Sequence, residues 1–252
     1  MTALTISPDL ATTLRNARRV AALTGAGISA ESGVPTFRDA QTGLWAQYRP
    51  EELATPEAFQ RHPQLVWDWY AWRRNLVAKA EPNAGHRALV ELEQRVPAFT
   101  LITQNVDGLH RRAGNRRVLE LHGNLFRTRC FAEGIVVDHW VDTGDVPPRC
   151  PHCGAWLRPD VVWFGEMLPE AVLREAEEAT VQCDVFFSIG TSTLVYPAAE
   201  LPFAALRSGA TVVEINPQLT SLSQQAHYSL RGTAGEALPA LLAAVWGPGG
   251  AE

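Results

Sequence analysis

Apolar residues recur along this chain in two rhythms. Short unbroken runs, bounded by polar or turn residues, stand at Val20–Thr24, Ala98–Thr103, Val118–Leu121, Val185–Ile189 and Thr211–Ile215. Runs of that length predict strands covered on both faces, as in parallel sheets. Elsewhere the period lengthens to that of a helix. Leu10, Leu14 and Ala17 form a stripe behind Ser7-Pro8, a capping residue followed by a proline suited to the first helical turn. Ala88, Leu89 and Leu92 line one side of a helix predicted over Ala84–Val96. Another is opened by Pro169, is acidic in its first turn and runs to Val181. Helix, strand and glycine turn in that order predict an open parallel sheet of the α/β class.

Two stretches break the alternation. Residues 40–82 are rich in tryptophan and read as helical around Pro63–Lys79; residues 127–157 hold three cysteines with Pro147, Pro148 and Pro151. Both read as inserts that build a smaller lobe, a helical module plus a cysteine module, beside a sheet domain made of 1–39, 83–126 and 158–246. Residues 247–252 read as a tail. The chain shows no internal repeat and no low-complexity linker.

Its 252 residues, 46% hydrophobic, are ample for one large domain with a small insert. The net charge of -5 argues against nucleic acid as the main partner, while leaving a lysine-rich peptide mildly attracted. No apolar run is long enough to span a bilayer. Met1-Thr2-Ala3-Leu4-Thr5 lacks a basic segment followed by an apolar stretch, so the expectation is no secretory signal and a cytoplasmic location. In that setting Cys150 and Cys153, a C-x-x-C pair with Cys130 upstream, favour a metal over disulfides.

Candidate chemistry begins at Gly25-Ala26-Gly27-Ile28-Ser29-Ala30. Behind a strand, Gly25, Gly27 and Ala30 fit the dinucleotide fingerprint, in which small residues let the backbone turn tightly beside a pyrophosphate. This points to a Rossmann-like dinucleotide-binding domain. An ordinary member of that class would continue the helix; here Gly33 and Pro35 interrupt it, and Phe37-Arg38-Asp39 must fall in a loop able to cover the cofactor. His122, just past a strand, reads either as a strand-end histidine or as a general base, since imidazole titrates near neutrality. Asn105 and Asp107 read as turn residues or, at the carboxyl end of a strand, as ligand contacts. Tyr70 and Arg73, three apart, share one helical face. They read as packing with a rim charge, or as a carboxylate-binding pair.

Gly25–Asp39, Thr103–His110, Glu120–Gly123, Trp163–Glu166, Gly190–Ser192 and Glu214–Asn216 together resemble, in order, the sequence blocks of the sirtuins, NAD-dependent protein lysine deacylases. The resemblance implies a large dinucleotide-binding domain, a small domain and a reaction cleft between them. It implies cofactor contacts from Gly25, Ala26, Gly27, Phe37, Arg38, Gln104, Asn105, Asp107, Gly190, Thr191, Ser192, Asn216 and Ala234, and assigns catalysis to His122 with Asn105. In the implied reaction the acyl oxygen of a modified lysine attacks the ribose carbon as nicotinamide leaves. His122 activates the neighbouring hydroxyl, and free lysine and O-acyl-ADP-ribose result. Water must be kept from the oxocarbenium-like ribose, the part implied for Phe37.

Tyr70 and Arg73 are similar to the Y-x-x-R signature of the sirtuin branch that removes succinyl, malonyl or glutaryl groups, which implies acidic acyl-lysine as a substrate beside acetyl-lysine. The acylated protein or peptide is expected along Val161–Glu166, with Val162, Trp163 and Phe164 in contact and an exposed strand edge pairing with its backbone. Family zinc is held by two C-x-x-C pairs, but here the first reads Cys130-Phe131-Ala132-Glu133. Cys130, Cys150 and Cys153 remain as metal ligands; Glu133, Asp138, His139 or His152 completes the set, or zinc is absent. Three rivals stand beside this reading: a dehydrogenase using the same fingerprint, a non-catalytic NAD- or ADP-ribose-binding module, and a sirtuin that mainly transfers ADP-ribose to protein.

Overall fold

A computed structural model describes residues 5–35, 47–141 and 143–247. Six parallel strands form the main sheet: β1 (Arg19–Thr24), β2 (Ala98–Thr103), β3 (Val118–Glu120), β6 (Val185–Ile189), β7 (Thr211–Ile215) and β8 (Tyr228–Leu230), in the order β3-β2-β1-β6-β7-β8. The chain therefore winds outward one way from β1 and the other way from β6. Numbered within the sheet alone, this is the doubly wound order 3-2-1-4-5-6, and ligand crevices form where the direction reverses, outside the carboxyl ends of the strands.

The unbroken apolar runs follow from burial on both faces. Along β1, Val20 and Ala22 face one side, while Ala21 and Leu23 face the other. The first side is covered by α1 (Pro8–Asn16), α6 (Ala84–Arg95) and α10 (Ala234–Trp246), the second by α8 (Glu170–Gln182) and α9 (Leu201–Arg207). The predicted caps act as expected: the Ser7 hydroxyl accepts from the Asp9 N–H, and α8 starts immediately after Pro169. None of the described helices is long and apolar enough to cross a membrane.

The remaining elements build the smaller lobe. Short helices α3 (Pro50–Leu53) and α4 (Pro56–Arg61) lead into α5 (Pro63–Ala78), whose buried face carries Val66, Trp69, Tyr70, Arg73 and Val77. Strands β4 (Gly123–Cys130) and β5 (Leu157–Val161) pair antiparallel with each other rather than joining the main sheet. Boundaries drawn at 126/127 and 157/158 thus fall within them. Cys130, Val137, Cys150 and Leu157 form a separate small core at their far end.

A chain of ion pairs links the sheet domain to β4 and β5. Glu120, buried at the end of β3, pairs with Arg127 at 2.6 Å; Arg127 also reaches Asp160 at 2.8 Å; and Asp160 faces Arg129 at 3.6 Å.

Candidate functional site

The carboxyl ends of β1, β2, β6 and β7, with the turn after β3, bring most of the sequence-predicted residues to one end of the sheet. The turn after β1 leads into the single-turn helix α2 (Ala26–Ala30), which stops at Glu31 just before Gly33. This turn lies against the turn after β6. A Cβ on Gly27 would stand 2.7 Å from the Gly190 Cα, and one on Gly190 would stand 2.6 Å from the Ile28 nitrogen. Gly190 also has a φ of +57. Both positions are therefore glycine because two backbones touch there, a close approach that the fingerprint alone does not reveal.

Across this seam run direct bonds. The Gln104 amide donates to the Thr191 hydroxyl at 3.0 Å, and Asn216, just past β7, donates to the Thr191 carbonyl at 2.9 Å. Asn105 donates to the Gly25 carbonyl and to the Ser29 hydroxyl, and Ser29 donates to Asp107 at 2.7 Å. Asp107 also accepts from the Leu109 N–H, which answers the turn reading as well. Burial pushes the Asp107 carboxyl above its ordinary range, opposed by those two bonds.

Sequence reasoning passed over the layer beneath. Ser29 is buried inside the glycine string and joins Asn105 to Asp107. His86 lies behind it with a ring nitrogen 3.5 Å from the Ser29 hydroxyl. Since His86 Nδ1 accepts from the Asn83 N–H, Nε2 carries the proton that points to Ser29. His110 packs on His86 with ring centroids 4.9 Å apart and bonds Thr24 at 2.9 Å. Burial pushes His86 down to about 4 and His110 well below its usual range. A polar residue inside an otherwise small-residue turn was the only available signal for Ser29. For the two histidines there was none beyond position.

His122 is half-buried, with its Nδ1 2.9 Å from the Gln104 carbonyl oxygen. A carbonyl can only accept, so Nδ1 bears the proton and Nε2 keeps its lone pair. Burial lowers the imidazole's proton affinity, partly offset by this bond. The geometry thus supplies a neutral imidazole near pH 7 with its basic nitrogen fixed, as a general base requires.

Tyr70 and Arg73 do share one face of α5, but neither sits at a solvated rim. Tyr70 is buried and its oxygen accepts from the Trp163 indole at 3.0 Å. Arg73 is 9% exposed, with its guanidinium carbon 5.7 Å and 5.9 Å from the ring centres of Trp69 and Tyr70. Its charge is disfavoured by burial and favoured by Tyr70 and Asp107, which places it within electrostatic reach of the cleft.

The segment expected to form a strand edge does not remain a strand: β5 ends at Val161. The N–H groups of Val162, Trp163 and Phe164 are taken by His122 O, Glu166 and Ala54 O, and the Trp163 ring is buried while Phe164 stays exposed. Arg158 causes the bend by binding the Val161 carbonyl and Glu166 and stacking on Trp163. A cavity of about 260 Å³ opens beside it, lined in part by Arg129, Phe131, Val162 and Met167. Ala234 starts α10 and is buried against Gly85, with a neighbouring bond from the Gly235 N–H to Glu31. Phe37 and Arg38 lie outside the described residues.

The glycine seam, the amide and carboxyl groups at the strand ends and the switch-point position fit a dinucleotide. At the far end of the small lobe, ligand atoms of Cys130, Glu133, Cys150 and Cys153 lie within 4.8 Å of one another, a donor set that fits zinc.

Comparison with known proteins agrees with this arrangement. Residues 25–197 match the Sir2 family model. An NAD-dependent protein deacylase of Aquifex aeolicus is 52% identical over 219 residues, covering 86% of this chain and 91% of its own. Among solved structures, a Sir2 homologue in complex with NAD superposes with a TM-score of 0.88 at 47% identity, covering 97% of this chain and 96% of that one. A Sir2 protein with a p53 peptide and NAD+ reaches 0.80 at 32% identity over 93% and 96%. Fold, strand-end residues and family match agree, and the chain belongs to the Sir2 family, the sirtuins.

Proposed function

We propose that this protein is an NAD-dependent protein lysine deacylase that accepts acetyl and acidic acyl groups and releases nicotinamide and O-acyl-ADP-ribose. The observation that carries the reading is the fixed tautomer of His122 beside the Asn105–Ser29–Asp107 network at the switch point. Relatives named as deacylases and neighbours holding NAD or a peptide support it.

Bound NAD supplies an electrophilic ribose carbon. The chain's residues do the rest. Gln104 and Asn105 lie at the carboxyl end of β2, where a ribose would sit. The Asp107 carboxyl, held by Ser29 and Leu109, is aimed by two bonds and can meet a carboxamide. His122 Nε2 takes a proton from a ribose hydroxyl and returns it later. A protein nucleophile is not required.

For the acyl group, Tyr70 and Arg73 are the supporting pair. The Trp163 bond uses the Tyr70 oxygen as acceptor and leaves its O–H proton to donate, and a guanidinium matches a carboxylate at two points. The acylated lysine protein or peptide would run past Phe164, with backbone pairing through carbonyls, since the neighbouring N–H groups are engaged.

Incubation with NAD and either acetylated or succinylated peptide, followed by mass measurement of the products, tests the reading. Free lysine peptide with equimolar nicotinamide and O-acyl-ADP-ribose is expected. NAD reduction without nicotinamide release would make it a dehydrogenase, binding without turnover a sensor module, and ADP-ribosylated peptide a transferase to protein.

A further inference from the structure

The cysteine lobe contains an eight-residue repeat that the sequence reading passed over. Arg129-Cys130-Phe131-Ala132-Glu133-Gly134-Ile135-Val136 and Arg149-Cys150-Pro151-His152-Cys153-Gly154-Ala155-Trp156 fold alike at an offset of twenty. Each opens with an antiparallel bridge, Arg129 to Val136 and Arg149 to Trp156. In each, the cysteine N–H donates to the carbonyl of the seventh residue, at 2.8 Å to Ile135 and 2.7 Å to Ala155. In each, a glycine closes the turn onto the cysteine carbonyl at 2.9 Å, with φ of +70 at Gly134 and +73 at Gly154. Even the leading arginines agree, Arg129 donating to the Gly134 carbonyl at 2.8 Å and Arg149 to that of Gly154 at 3.4 Å.

Glu133 therefore occupies the place in the first turn that Cys153 occupies in the second. Burial repeats too: Cys130 and Cys150 are buried, whereas Glu133 and Cys153 are exposed. The Glu133 N–H points to Cys130 Sγ at 3.4 Å, and Cys130 Sγ lies 3.4 Å from Cys153 Sγ. A tetrahedron with zinc–sulfur arms of about 2.3 Å has edges of about 3.8 Å, close to that spacing. His152 sits inside the second turn where Ala132 sits in the first, and the four-residue cluster includes none of His152, Asp138 and His139.

We infer that Glu133 is the fourth ligand of a zinc ion held with Cys130, Cys150 and Cys153, and that its carboxylate is the arm from which the metal is released. A carboxylate carries the same charge as a thiolate, so the shell keeps its net charge. Its oxygen is a harder donor than sulfur and, like Cys153, it lies at an exposed corner, so it yields to a competing chelator before the thiolates do. This inference is independent of the deacylase reading.

The test uses the full chain, measuring metal content, the spectrum of the cobalt(II) form and the rate of metal loss to a chelator. One metal per chain is expected. Glu133→Cys should raise thiolate-to-cobalt absorbance by about one third, as three thiolates become four, and slow release at least about tenfold. Glu133→Gln should speed release by a similar factor, while Asp138→Asn, His139→Ala and His152→Ala behave as the parent. If the glutamine variant does not fold, the cysteine variant's spectrum decides alone. A metal-free parent chain, a cysteine variant with an unchanged spectrum, or a glutamine variant that holds metal like the parent would overturn the inference.

Discussion

The reaction cleft and the cysteine lobe are built on opposite plans. The cleft gathers Gly27, Asn105, His122, Gly190 and Asn216 from five separated segments, and each is held by contacts made with another. The lobe draws its four clustered donor residues from two short turns that close on themselves. A non-local site has no slack, because moving one strand end moves its partners. A local site tolerates exchange of a ligand type provided the turn persists. That difference accounts for a lobe in which Glu133 holds the turn position that Cys153 holds in its twin.

The comparison can be broken in several places. The largest effect is expected from His122→Ala, which should cut turnover by about 10²- to 10⁴-fold while NAD affinity, followed by calorimetry, stays largely intact. Survival of activity within a few-fold would remove His122 from the chemistry. Next comes acid. His86 and His110 are neutral in the fold, with proton affinity lowered by burial, so the unfolded chain gains their protons first. Their stabilisation is full above the free histidine value near 6.5 and is lost as pH falls to about 4, where His86 alone accounts for about 3 kcal/mol. Denaturant titrations across that window should show the fall, and a flat profile would mean that the histidines are hydrated.

Gly27→Ala should cost about 1–3 kcal/mol and weaken NAD binding, because the new methyl meets the Gly190 backbone. Thermal melts with and without NAD separate the two effects. Arg73→Met should lower desuccinylation about tenfold or more relative to deacetylation, since it removes a charge-assisted pair rather than the reaction centre. Equal loss of both would place Arg73 in packing only. The smallest effect belongs to the lobe: His152→Ala, in an exposed turn, should leave the melting midpoint unchanged.

Much of this was legible in the order of residues. The inner strands were readable because Val185–Ile189 and Thr211–Ile215 are covered on both faces and so lack polar interruption. Strand β8 was not, since only Leu230 of its three residues is buried at the sheet edge. Strands β4 and β5 escaped because Arg127, Arg129, Arg158 and Asp160 interrupt their apolar character, and those charges are satisfied by pairing across the lobe. At the site, residue types and strand-end positions were readable, whereas partners were not. No spacing rule connects Ser29 to Asp107 or Trp163 to Tyr70, since each pair is far apart in the chain and meets only in the folded molecule. The repeat in the lobe was hidden because only its arginine, first cysteine and glycine recur.

The salt-linked chain from Glu120 through Arg127 and Asp160 to Arg129 has a mechanical meaning. One end stands two residues before His122 and the other directly before Cys130, so a girder of alternating charge runs from the strand ends to the cysteine turns. Loosening the cysteine turns would slacken that girder and let the His122 imidazole drift, with no residue of the cleft being replaced.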